Sequence, residues 1–132
     1  MIAFDTNMLV RILINDNFVQ TAVVERLFSR NRIFIAQTVL LETEWVLRVS
    51  YKKSRELLLI FFKNLLESEG CEVENSEALA VALEWYRQGA DFGDALHLAA
   101  CENSVTMHTF DRNFCSTARD PDASERIHIW VA

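Results

Sequence analysis

Five short strand-like runs, separated by segments of helical periodicity, constrain the fold of this chain more than any other feature. They are residues 2–4, "RIFIA" at 32–36, "CEVE" at 71–74, "VTMHTF" at 105–110 and "RIHIWV" at 126–131. Residues 8–14 fit a helix stopped by "NDN" at 15–17. Residues 18–29 place Phe18, Ala22, Val23, Leu27 and Phe28 near one helical face. The stretch 38–51 supports a helix with Leu40, Leu41, Val46 and Leu47 available to a core. Ser54 is placed to cap "RELLLIFFKNLLES", whose apolar residues suit either two-sided burial or an interface. A helix from Ser76 ends near Gly89, another begins near Gly93, a short one covers 112–117, and Asp120-Pro121-Asp122 reads as a turn. One Pro and three Gly leave few breakers in 132 residues. Strands alternating with helices predict a three-layer α/β/α sandwich with a central, mostly parallel sheet of about five short strands, as one domain over residues 1–132.

Thirteen Lys+Arg against nineteen Asp+Glu give a net charge of -6. That balance excludes a protein whose whole surface attracts nucleic acid, so any such contact needs a local patch. The densest is Arg48, Lys52, Lys53 and Arg55, with Arg112 and Arg119 a looser group; a solvated helix end is the plain alternative for the first. Cys71, Cys101 and Cys115 are odd in number, share no C-x-x-C spacing and read as reduced thiols. The longest fully apolar run, 57–62, is far short of the ~20 residues that span a bilayer, and the start lacks the charge and apolar pattern of a leader. A soluble, cytoplasmic protein is expected.

Phe-Asp-x-Asn occurs twice, at residues 4–7 and 110–113, each time behind a strand-like run and ahead of a helical one. In open α/β sheets ligands bind beyond the carboxyl ends of the strands, where Asp5 and Asp111 are expected. Each aspartate has a plain reading as a helix N-cap, as does Asp91 ahead of the helix near Gly93. Asp94 lies just inside that helix. Glu42, amid Val39, Leu40, Leu41, Trp45 and Val46, is expected on or near a buried face, with Glu44 turned to solvent. Convergence of Asp5, Glu42, Asp94 and Asp111 would require a cation to offset their repulsion. An all-carboxylate donor set suits Mg²⁺ or Mn²⁺ and metal-assisted attack of water on a phosphodiester. His97, one turn after Asp94, reads as ordinary filler before it reads as a ligand, and His108 and His128 carry no signal. Trp45, Trp85 and Trp130 are expected as core or interface anchors.

Together "MIAFDTNMLVRIL", "VLLETEWVLR" at 39–48, "DFGDALHLA" at 91–99 and "TFDRNF" at 109–114 make the chain resemble the PIN-domain ribonucleases, most closely the VapC-type toxins of bacterial toxin–antitoxin pairs. The resemblance implies that Asp5, Glu42, Asp94 and Asp111 form an acidic catalytic and metal-binding quartet, with Asp91 auxiliary and Thr6, Asn7 and Thr109 as supporting polar positions. It also implies Mg²⁺ or Mn²⁺, endonucleolytic cleavage of RNA, a homodimer, and an antitoxin protein whose tail occupies a groove near the site. Two other readings compete. A phosphatase with Asp5 as nucleophile would favour a second aspartate where Asn7 stands. A catalytically idle module would use the acidic crevice only to bind a basic partner peptide.

Overall fold

A computed structural model describes residues 1–101, 105–118 and 129–132, which fall into two compact units, Met1–Ser76 and Glu77–Ala132. The expected turn at Asp120-Pro121-Asp122, Arg119, and the 126–128 part of the last strand with His128 lie outside the described residues.

In the N-terminal unit β1 (Ile2–Ala3), β2 (Ile33–Ile35) and β3 (Cys71–Val73) form a parallel sheet in the order β1-β2-β3. Ile2 pairs with Ile33, and Ile33 in turn with Cys71. Parallel neighbours need long crossovers. The first is made by α1 (Thr6–Leu13) and α2 (Phe18–Arg30), the second by α3 (Gln37–Trp45), a π-helical turn (Val46–Ser50) and α4 (Arg55–Glu67). The middle strand carries Ile33 and Ile35 into the core with Phe4, Leu9, Leu40, Leu47, Leu58 and Phe62. Ser54 caps α4 as the sequence suggests, accepting from the Leu57 N–H, and Asn17, read only as part of a helix stop, caps α2 by accepting from the Gln20 N–H.

The apolar face read for α2 is largely left uncovered. Only Val24 is buried on this helix, Phe18 is 87% exposed, Ala22 and Val23 are exposed, and Leu27 and Phe28 are half-buried. The helix touches α1 along a narrow seam, so one apolar row is covered and the neighbouring row is left in water. On α4, by contrast, Leu58, Phe61, Phe62 and Leu65 are all buried, which settles the 57–62 stretch mainly as core, with Ile60 outward.

In the C-terminal unit α5 (Ser76–Arg87, its first residue in the N-terminal unit) and α6 (Phe92–Ala99) precede β4 (Met107–Thr109), α7 (Arg112–Ala118) and β5 (Ile129–Val131). Gly89 ends α5 at φ 105, a conformation that suits a residue without Cβ. Its N–H donates to Tyr86 O and that of Ala90 to Trp85 O, a Schellman closure. Strands β4 and β5 pair in parallel, Met107 with Ile129 and Thr109 with Val131. The five strands thus occur where the sequence places them and are parallel, within a mixed α/β fold consistent with the α/β/α expectation. Among the described residues the hydrogen-bonded ladders are three-stranded in the N-terminal unit and two-stranded in the C-terminal unit, each two or three residue pairs deep. No described helix is long and apolar enough to cross a membrane. The three cysteines are free thiols, as expected, with Cys115 buried.

Candidate active site

Both copies of Phe-Asp-x-Asn follow a strand and open a helix. Asp5 is the N-cap of α1, and its Oδ1 accepts the Met8 N–H at 3.0 Å. Asp111 does the same for α7, accepting the Phe114 N–H at 2.9 Å, while its own N–H donates to Thr109 Oγ1 at 3.0 Å. The plain capping role and an exposed carboxylate are therefore compatible, because a carboxylate has a second oxygen to offer. The two copies differ in their phenylalanines. Phe4 is buried, with its N–H donating to Phe34 O so that the residue continues the sheet. Phe110 lies past the end of the β4–β5 ladder and is 87% exposed.

The C-terminal unit brings three acids together electrostatically. Asp91 caps α6 through Oδ2, which accepts the Asp94 N–H at 3.0 Å. The Asp94 carboxyl is pushed above its ordinary value of 3.8, first by partial burial, then by the negative charges of Asp91 and Asp111; His97 pulls the other way. Such crowding is what a divalent cation relieves. Oxygen donors without a thiolate or an imidazole pair suit a hard cation of the Mg²⁺ or Mn²⁺ type, so the donor chemistry fits. Among the described residues, no three His, Cys, Asp or Glu side chains are close enough to share one ion.

The sign of the Asp94 shift makes a pH prediction. A carboxyl raised on folding costs nothing below pH 3.8, where folded and unfolded chains are both protonated, and disfavours the fold progressively as pH rises through its higher folded value. Asp94→Asn should therefore match wild type in urea midpoint at acid pH and exceed it at pH 7. An equal gap at both values would mean that charge is not the cause.

In the N-terminal unit, Asp5 and Asn7 are exposed and Thr6 is buried. The expected burial of Glu42 is corrected: Glu42 is exposed, and Glu44 is the buried acid, at 3% exposure. Glu44 Oε1 accepts from Arg48 Nε at 2.7 Å. The signal was in the sequence, since Glu and Arg four residues apart face each other on a helix. This ion pair also removes Arg48 from the uncommitted basic patch. Glu44→Ala should cost about 1.5–3 kcal/mol, the range for a lost charged hydrogen bond, and Glu42→Ala no more than about 0.5 kcal/mol. Equal losses in urea titration would contradict the placement. Of the tryptophans only Trp85 is core; Trp45 and Trp130 are exposed.

A groove of about 260 Å³ runs beside α1 from Asp5 and is lined also by Asn7, Met8, Arg11, Val19 and Val23. Arg11, which drew no attention in the sequence, pairs with Asp16 and donates from Nη2 to the Tyr51 hydroxyl at 3.4 Å.

No curated protein and no solved structure matches the chain. The family model of the PIN domain matches residues 2–120, nearly the whole length and across both units. PIN domains are generally nucleases and typically use divalent metals. Helices α1, α6 and α7 that each open on a capping aspartate are in keeping with such chemistry, and the match over 2–120 establishes that this chain belongs to the PIN domain family.

Proposed function

We propose that the protein is a metal-dependent endoribonuclease of the VapC type, the toxin of a toxin–antitoxin pair, acting in the cytoplasm as a homodimer and held inactive by a cognate antitoxin. The observation that carries the chemistry is geometric: Asp5, Asp91 and Asp111 each cap a helix with one carboxylate oxygen and keep the second to offer to a hard cation, and Asp94 follows Asp91 in the first turn of α6. The toxin role rests on the sequence resemblance to VapC-type proteins, within a family match over residues 2–120.

Asp5, Glu42, Asp94 and Asp111 are the acids proposed to hold Mg²⁺ or Mn²⁺, with Asp91, Thr6, Asn7 and Thr109 in support. A cation of this kind supplies charge neutralisation at the phosphate and acidifies water for attack on phosphorus. The chain's own part is to present carboxylate oxygens from pinned backbone positions. Asp5, Asp91 and Asp111 each spend one oxygen on a helix N–H, which fixes the direction of the other. A neighbouring carboxylate accepts the proton released by the attacking water as one P–O bond is hydrolysed.

The test is incubation of the purified, partner-free chain with total cellular RNA in Mg²⁺, Mn²⁺ or EDTA, with mapping of cut ends. Discrete internal cuts that require metal support the reading and name the RNA. A folded sample that cuts no RNA in any metal overturns it and favours the idle module that binds a basic peptide.

A further inference from the structure

The chain is acidic overall, yet from Trp45 to Arg55 it contains four cations and no acid. The structure sorts these cations. Arg48 is engaged by Glu44, whereas among the described residues no ion pair involves Lys52 or Lys53. The backbone that carries the two lysines is unusual. Tyr51 N–H donates to Val46 O, five residues back, and Lys53 N–H to Leu47 O, six back, so α3 ends in a wide π turn anchored by buried Leu47. Lys52 leaves that turn at φ 55 and is exposed.

Two non-glycine residues among those described have positive φ. Asn75 is of a type that adopts this conformation readily; lysine is not. Glycine at 52 would relax the backbone and lose the cation. Strain of this kind, seen in the structure, points to a use for the side chain.

The turn also has an address. Tyr51 receives the hydrogen bond from Arg11, and Arg11 lines the groove that starts at Asp5. Arg11 is six positions after Asp5, about 9 Å along the helix axis. The groove, Arg11, Tyr51 and the lysine pair therefore follow one another within the N-terminal unit. A basic tract beside an aromatic ring is the chemistry that tracks a single-stranded nucleic-acid backbone.

We propose that Lys52 and Lys53, presented by the strained turn after α3, bind backbone phosphates of single-stranded RNA whose chain runs along the α1 groove towards Asp5. This assignment rests on the ribonuclease reading for its substrate class.

The test is fluorescence anisotropy with a labelled single-stranded oligoribonucleotide, in EDTA so that no cleavage intervenes, across a salt series. Compared with wild type, the Lys52→Gln, Lys53→Gln double variant should bind at least tenfold more weakly at low salt. The slope of log affinity against log salt should fall by about 0.7 per lost contact. Lys52→Gly should lose about one contact with a melting temperature no lower than wild type, which a merely structural role for Lys52 would not produce. Lys63→Gln, on the exposed side of α4, should bind as wild type. Unchanged affinity and slope in the double variant overturn the proposal, as does an equal loss in Lys63→Gln. Retained RNA affinity with lost binding to polyglutamate would reassign the patch to an acidic protein. Cleavage by a wild type whose double variant binds normally rejects the patch and spares the nuclease. Lysine-dependent binding by a wild type that never cleaves does the reverse.

Discussion

Asp5→Asn and Asp94→Asn should each lower metal-dependent RNA cleavage by about 10²–10³-fold or more, the range lost when one preorganised electrostatic contact to a reacting centre is removed. The two variants are informative because neither should unfold the protein. Asn is as good an N-cap as Asp, and its side-chain oxygen can still accept the Met8 N–H. At position 94 the substitution removes repulsion from Asp91 and Asp111, so the fold gains while the chemistry loses. Initial rates in saturating Mg²⁺, with urea midpoints measured on the same samples, check both halves. Cleavage at the wild-type rate in either variant would remove that residue from the site. A parallel loss of stability would show that the side chain supports the fold instead.

Phe62→Ala should destabilise the protein by about 3–5 kcal/mol, a large share of the 5–15 kcal/mol typical of a whole domain. Phe62 is fully buried and meets Phe61 edge-on at 5.4 Å between ring centroids, so truncation leaves a cavity as well as lost transfer energy. Ile60, one residue away in sequence and 57% exposed, should tolerate Ala with a loss below about 1 kcal/mol. Urea titration with an unchanged slope would report this as stability. If Phe62→Ala were nearly neutral and altered assembly instead, the burial of this face within the chain would be refuted.

The element order was legible because strand and helix leave different periods in a sequence, and because caps are local chemistry. Asp5, Asn17, Ser54 and Asp91 each accept a backbone N–H three residues on, a relation contained in four consecutive residues. The repeated Phe-Asp-x-Asn likewise announced two strand-to-helix corners. The same pattern did not reveal that Phe4 is buried and Phe110 exposed, because that depends on whether a neighbouring strand continues the ladder.

Facing was the harder question. On α3 and at the start of the turn that follows it, apolar residues Val39, Leu40, Leu41, Trp45 and Val46 surround the axis, so the sequence offers no single inward stripe, and Glu42 and Glu44 could exchange roles. Packing against α1, with Leu40 and Leu47 drawn inward, places Thr43 and Glu44 inside and Glu42 outside. On α2 the apolar residues outnumber those its neighbour can cover, and Phe18 and Val19 stay in water. By itself, then, this sequence determined the alternating α/β class, the strand and helix positions, the capping aspartates and the PIN resemblance, all of which follow from local spacing. Only the tertiary structure decided which acid is buried, which lysines lack an ion pair among the described residues and where the backbone is strained. Those properties arise when distant segments compete for the same interior volume and the same hydrogen-bond partners.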